Sequence, residues 1–278
     1  MFDGLLPVPS DARARLYEAM RYAAIGGGKR LRPLLVISSA ALFHVARDRA
    51  LRVGCAVECI HVYSLIHDDL PAMDDDDLRR GKPTLHKAFD EAVAILAGDS
   101  LHALAFDLIA HEATHEDPFV RSELVSALAR AAGPQGMAGG QMMDLAPHDD
   151  ELGLSEVTRL QQLKTGALIG FCLEAGAIMG RVPPEGRTPL RGYARDVGLA
   201  FQIADDLLDA TGDEEKTGKR VRKDADAGKA TFVSLLGVER ARRQANMLIE
   251  QAIDHISGFG EEADMLRAIA RYAVERDR

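Results

Sequence analysis

The sequence predicts an all-α protein, and three observations carry that prediction. Eleven prolines gather at seams and leave proline-free stretches at 34–70, 84–117, 148–182 and 190–278. Helix interiors do not readily tolerate proline, so these stretches are where helices fit. They are rich in Ala, Leu, Glu and Arg, which are helix formers. Apolar residues recur at the three-and-four spacing of an amphipathic helix, as in Leu101, Leu104, Ala105, Leu108 and Ile109, and in Leu160, Leu163, Ala167 and Leu168. No strand-like alternation flanked by hairpin turns stands out.

Taken in order, helices are expected to start near Ser10, Pro33, Arg47, Leu85, Pro118, Pro134, Ser155, Pro189 and Lys229, with a last one after Gly260. No Ser- or Gly-rich linker, low-complexity tract or internal repeat interrupts them, so residues 1–278 read as one large helical domain. With 47% hydrophobic and 28% charged residues, a chain of 278 residues buries a sizeable core. A nearly apolar run, Leu34 to Phe43, is about half of the ~20 residues a membrane span needs, and reads as a buried helix.

Charge and cysteine usage narrow the partners. Against 34 Lys and Arg stand 43 Asp and Glu, a net charge of −9, which disfavours general affinity for nucleic acid or an anionic membrane. An anion must therefore meet a local basic cluster. Met1, Phe2 and Asp3 carry no basic signal region, so a cytoplasmic location is expected. Cys55, Cys59 and Cys172 fit neither a disulfide framework nor a zinc spacing, and read as packed thiols.

The most unusual segment is HDDLPAMDDDDLRR, His67 to Arg80, with six aspartates within ten residues. Carboxylates this close repel unless they are solvated or share a cation. Hard oxygen ligands of this kind suit Mg²⁺, which keeps water and bridges to phosphates; a solvated acidic loop is the alternative. An EF-hand fails, because the loop from Asp68 lacks Gly at its sixth position and Glu at its twelfth. About 130 residues downstream, FQIADDLLD holds Asp205, Asp206 and Asp209. Asp205 and Asp209 lie about 40° apart around a helix and Asp206 is three from Asp209, so all three can address one locus. Two such clusters in a helical chain point to a multi-Mg²⁺ diphosphate site.

Basic residues would complete it. Gly27, Gly28, Lys29, Arg30, Leu31, Arg32 and Pro33 combine close-approach glycines with cations and a helix N-terminus. A P-loop is excluded there because Arg30 follows Lys29, and again at Gly212 to Lys219, where the glycines are one residue too far apart. Taken singly, each basic group also reads as a helix cap or surface patch.

With GGKRLRP, both aspartate clusters, Gly139-Gly140-Gln141 and Lys164-Thr165-Gly166 in one order, the chain resembles the trans-isoprenyl diphosphate synthases, most of all the short-chain bacterial farnesyl branch. The resemblance runs from about Met20 to Lys229. It implies a helical fold around a central cavity, a homodimer, and Mg²⁺-dependent head-to-tail prenyl transfer from allylic diphosphates to isopentenyl diphosphate.

By motif match, Asp68 and Asp74 would hold two Mg²⁺ and Asp205 a third, supported by Asp69, Asp206 and Asp209. Arg79, Lys164, Thr165, Gln202, Lys219 and Lys229 match the family's contacts to the allylic substrate. Lys29, Arg32, His61 and Arg80 match those to isopentenyl diphosphate. His61, Ser64 and Asp68 would share one helical face. Pro71 argues against a straight helix through Asp74.

Chain length is assigned by the same resemblance to Tyr63 and Ser64, five and four residues before Asp68. An aromatic at position 63, together with the longer first motif, implies farnesyl diphosphate as product, with geranylgeranyl or geranyl diphosphate as alternatives. Helical projection alone turns Tyr63 away from the Asp68 face. Arg220 to Lys223 is unusually basic for the family. The lead of 26 residues before Gly27 is shorter than the resemblance implies. A terpene cyclase would not need Lys29, Arg32 and Arg80, and normally carries a different second metal motif. A non-catalytic partner subunit would be expected to have lost one cluster.

Overall fold

The computed structural model describes residues 1–25, 27–146, 152–211 and 230–275. They are mostly helical, as the proline seams predict, and they group into two compact units. The first comprises 1–34 and 47–125, the second 35–46 and 126–278.

In the first unit, α1 (Phe2–Leu5) and α2 (Ala14–Ile25) lead through a glycine turn into α3 (Leu31–Ala41). Gly27 and Gly28 stand at φ of 140° and 96°, which only glycine adopts without strain, and Arg30 at 51° follows them. Then come α4 (Arg47–Asp68), the hairpin β1 (Leu78–Arg79) and β2 (Lys82–Pro83), the short α5 (Leu85–Ala88), α6 (Glu91–Ala110) and the start of α7 (Pro118–Ala132).

The hairpin was not anticipated. Its strands pair Leu78 with Pro83 and Arg79 with Lys82, leaving Arg80 and Gly81 as a two-residue turn at φ of 55° and 75°. Two positive φ values suit the twist of a tight hairpin, which usually selects Asn-Gly. Arg-Gly does not signal it. The single helix expected from Leu85 is also interrupted, because Asp90 caps a new one by accepting a hydrogen bond from the Val93 amide at 2.8 Å.

Helix α4 packs mainly against α6. Small residues, Ala56 and Cys59 on one helix and Ala94, Ala97, Gly98 and Ala105 on the other, are buried and let the backbones approach. The cysteines are buried thiols, as expected. Helix α6 corrects the hydropathy reading. It is long and apolar enough by composition to cross a membrane, with a mean hydropathy of 1.6 over its best window. Asp99, Ser100 and His102 interrupt its run, so a scan for unbroken apolar stretches passes over it. Its Ala94, Ala97, Leu101, Leu108 and Ile109 face the core of this unit.

In the second unit, α8 (Met137–Leu145) starts three residues after the expected Pro134, beyond a turn closed by the Gly136 amide on the Gly133 carbonyl at 3.0 Å. Helix α9 (Leu154–Gln161) runs through a π-helical turn (Gln162–Gly166) into α10 (Ala167–Met179). Helix α11 (Thr188–Thr211) follows, then α12 (Phe232–Leu236), α13 (Val238–His255) and α14 (Asp264–Glu275). The helix expected from Lys229 is broken at Gly237, where φ is 76°.

Helix α10 is the core of this unit: every residue from Leu168 to Met179 except Gly170 and Glu174 is buried. Residues 35–41 of α3 pack on it so closely that a Cβ on Gly176 would overlap the Ser39 and Ala40 backbone, while Ser39 Oγ donates to the Leu173 carbonyl. Gly176→Ala must push these helices apart, and overpacking of this kind costs about 2 kcal/mol. Urea unfolding followed by circular dichroism should show that loss, and an unchanged midpoint would mean the contact is looser than described.

Candidate active site

The first aspartate cluster begins where α4 ends. Pro71 cannot continue the helix, and the chain folds back so that the Asp74 amide donates to the Asp68 carbonyl at 2.8 Å and the Asp75 amide to the Leu70 carbonyl at 3.2 Å. This reversal brings Asp68 and Asp74 together although six residues separate them. Asp75 completes it at φ of 49°, a left-handed conformation rare outside Gly and Asn or Asp.

Asp69 behaves differently from its neighbours. It is buried, and Arg79 Nε donates to both its carboxylate oxygens at 2.7 and 2.9 Å. Burial pushes its pKa up against the opposing pull of Arg79. Asp69 is therefore tied to Arg79. The same pair fixes Arg79 at the mouth of the hairpin, with Arg80 and Gly81 beyond it.

Arginines crowd His61. Burial, then the charges of Arg32, Arg80, Arg79 and Arg30, hold its imidazole well below the ordinary value, so it is neutral at pH 7. The glycine turn helps to assemble them: a side chain on Gly28 would overlap the Arg80 guanidinium. Arg30 turns inward, donating to the buried Glu58 at 2.6 Å and to the Ala24 carbonyl at 2.7 Å. Lys29 is exposed beside it. Within one unit, Arg32, His61, Arg79 and Arg80 thus make the local basic cluster that an anion needs in a chain of net negative charge.

Ser64 Oγ donates to the His61 carbonyl at 2.9 Å. The Tyr63 ring packs edge-on against His102 and His67, with centroids 4.9 and 5.8 Å away. As projection indicates, Tyr63 points toward α6.

The second cluster is built on the π turn. Lys164 and Thr165 lie inside it, and π turns recur at functional sites because they redirect side chains that a regular helix would stack elsewhere. Helix α8 supports it closely: any Cβ on Gly140 would overlap the Lys164 backbone, and Asp144 accepts from Lys164 Nζ at 2.8 Å. Thr165 Oγ1 donates to Gln202 Oε1 at 3.4 Å, Gln202 Nε2 to Asp206 Oδ1 at 3.2 Å, and the Phe232 amide to Asp206 Oδ2 at 2.8 Å.

Asp206 is buried in this relay and serves the first turn of α12. Of the three aspartates expected to address one locus, Asp206 is the one held by Gln202 and the Phe232 amide. Asp205 and Asp209 are half-buried. Asp144 is the residue that sequence reading missed, although its three-residue spacing from Gln141 was visible. Lys219, Lys229 and Arg220 to Lys223 lie outside the described residues.

Among the described residues, no three His, Cys, Asp or Glu side chains converge to hold a metal by themselves. Asp68 and Asp74, brought together by the reversal, make a donor pair that suits Mg²⁺, which takes one or two carboxylates and fills its shell with water and phosphate oxygens.

Comparison with known proteins agrees with this chemistry. Residues 13–272 match the family described as polyprenyl synthetase. The farnesyl diphosphate synthase of Bacillus subtilis is 44% identical over 96% of this chain and 90% of its own length. The chloroplastic geranylgeranyl pyrophosphate synthase 11 of Arabidopsis thaliana is 43% identical over 97% and 77%. The apo crystal structure of an FPP/GFPP synthase from Zymomonas mobilis is 64% identical, with a TM-score of 0.91 over 98% of this chain and 93% of that one. The chain belongs to the polyprenyl synthetase family, as a prenyltransferase of the short-chain trans-prenyl diphosphate type.

Proposed function

We propose that this protein condenses isopentenyl diphosphate with dimethylallyl and then geranyl diphosphate to give farnesyl diphosphate. The observation that carries this reading is the arginine cluster around a neutral His61 in the same unit as the reversal that joins Asp68 and Asp74, carboxylates suited to Mg²⁺ and diphosphate. Asp68 and Asp74 in the first unit, and Asp205 in the second, would hold Mg²⁺, with three ions in all. The metal supplies charge neutralisation for the departing diphosphate.

The chain's own residues divide the remaining work. Lys164, fixed by Asp144, and Thr165, fixed by Gln202, bind the allylic diphosphate oxygens together with Arg79, Lys219 and Lys229. The allylic C1–O bond breaks with its electron pair leaving on diphosphate, and these cations favour that separation. Lys29, Arg32, His61 and Arg80 hold isopentenyl diphosphate so that its double bond forms the new bond to C1. The proton then lost goes to the released diphosphate. His61 takes part as a neutral hydrogen-bonding group.

Tyr63 is the floor that stops growth at fifteen carbons, with Ser64 beside it. Geranylgeranyl diphosphate is the competing product, favoured by the name of the Arabidopsis relative. A homodimer is supported by the exposed Ile95 and Leu96 of α6. We place the enzyme in the cytoplasm, acting on soluble diphosphates without nucleic acid or membrane.

The direct test supplies purified protein with isopentenyl diphosphate, dimethylallyl or geranyl diphosphate and Mg²⁺, with and without EDTA, and reads the products by mass spectrometry. A metal-dependent fifteen-carbon diphosphate is expected; no condensation by folded protein would turn the reading to a partner subunit. Asp68→Ala and Asp205→Ala should each lower turnover by at least about a hundred-fold with the helical circular-dichroism signal intact. Near-normal turnover of Asp205→Ala would remove the third metal. Tyr63→Ala should lengthen the product.

His61 also predicts a pH effect. Its folded pKa lies below the ordinary 6.5, so the unfolded state takes up the proton first as pH falls, and stability drops below about pH 6.5. His61→Gln should flatten that decline in urea midpoints between pH 7.5 and 5.5. Identical slopes would show that His61 is not the depressed group.

A further inference from the structure

We propose that His102 sets product length by holding the Tyr63 phenol in place from α6. The proposal rests on the reading of Tyr63 as the floor. A floor works only if its ring is fixed, and α4 itself offers this one a single ring contact, the longer one to His67, since Tyr63 lies about 140° around the helix from Asp68. The rest of its orientation must come from contacts across to α6.

Those contacts form a row. His102 meets the phenol at 4.9 Å and 88°, and Phe106, one turn further along α6, backs His102 at 5.2 Å and 62°. On the other side His67 meets the phenol at 5.8 Å and 73°. His67 is itself seated on α6, with Nε2 3.2 Å from the Ile95 carbonyl, and any Cβ on Gly98 would overlap its ring. The nearest and most perpendicular of the phenol's two ring contacts is therefore His102. Edge-to-face ring pairs of this geometry are attractive beyond their buried area.

His102 has no part in forming the core. It lies on the exposed side of α6, while Leu101 and Ala105 beside it are buried. A polar aromatic at an exposed position, set edge-to-face on the phenol beside it, is explained by what it does to that phenol. With His102 removed, Tyr63 keeps only the longer contact to His67 and can turn aside, leaving depth for one more isoprene unit.

The test compares the full-length wild type with His102→Ala, His102→Phe and Tyr63→Ala, each given isopentenyl and geranyl diphosphates with Mg²⁺. Product lengths are read by mass spectrometry beside the turnover of the first condensation and far-ultraviolet circular dichroism. His102→Ala should raise the share of product one isoprene unit longer than wild type by roughly five-fold, the population change that corresponds to about 1 kcal/mol. Its helicity and first-condensation turnover should stay unchanged. His102→Phe, which keeps a ring at the contact, should retain the wild-type distribution.

A wild-type distribution from His102→Ala, with Tyr63→Ala lengthening the product, would overturn the role of His102 and leave the floor standing. Equal lengthening by His102→Phe and His102→Ala would also overturn it, because ring stacking would then not be the cause. An unchanged product from Tyr63→Ala would remove the floor itself, and the present proposal with it.

Discussion

The hydrogen bond from the Asp74 amide to the Asp68 carbonyl is the constraint on which the first unit's chemistry depends. Pro71 ends α4, but ending a helix does not say where the chain goes next. The closed loop does: it returns Asp74 to Asp68, turns Asp69 inward, and sets the direction in which the chain enters the hairpin. Arg79 is then caught by Asp69, and Arg80 takes the left-handed turn position next to Gly81. Strain of this kind at Asp75 and Arg80 is tolerated where surrounding contacts over-determine the backbone; Asp75 adjoins Asp74, and Arg80 is itself a candidate site residue.

The second unit reaches a comparable end by a different route. Its constraint is the close approach of α8 to the π turn, which only a residue without a side chain at position 140 permits. The approach puts Asp144 within reach of Lys164 and leaves Thr165, Gln202 and Asp206 in a relay ending on the first turn of α12. Positioning matters here because a flexible lysine is a poor anchor for a diphosphate until one of its donors is held. The buried Asp206 gains its hydrogen bonds from backbone and amide, which satisfies a carboxylate that would otherwise be costly to bury.

Electrostatically the chain is acidic as a whole and basic where it needs to be. Arg30 pairs with Glu58 and Arg79 with Asp69, while burial first, and then the arginine charges around it, keep the His61 imidazole unprotonated. A neutral histidine among arginines adds a polar contact without further repulsion. Family membership makes sense of this division, since two diphosphate groups and divalent metal must be held in one reaction.

The all-α class, the helix seams at proline, the packed cysteines and the order of motifs were legible in the sequence because each rests on local chemistry: proline's missing donor, apolar periodicity, and the repulsion of crowded carboxylates. The hairpin was not legible, since Arg-Gly carries a weak turn signal, and the contacts around it, Arg79 on Asp69 and the Arg80 guanidinium against Gly28, arise only in the fold. Nor could helical spacing separate Asp206 from Asp205, because the donor that captures Asp206 is the amide of a residue 26 positions away. Asp144 as the anchor of Lys164, and His102 as the neighbour of Tyr63, depend likewise on which helices pack together. Residue type and spacing determined what chemistry this chain can perform; tertiary packing decided which carboxylates remain for it and which are spent on holding the others in place.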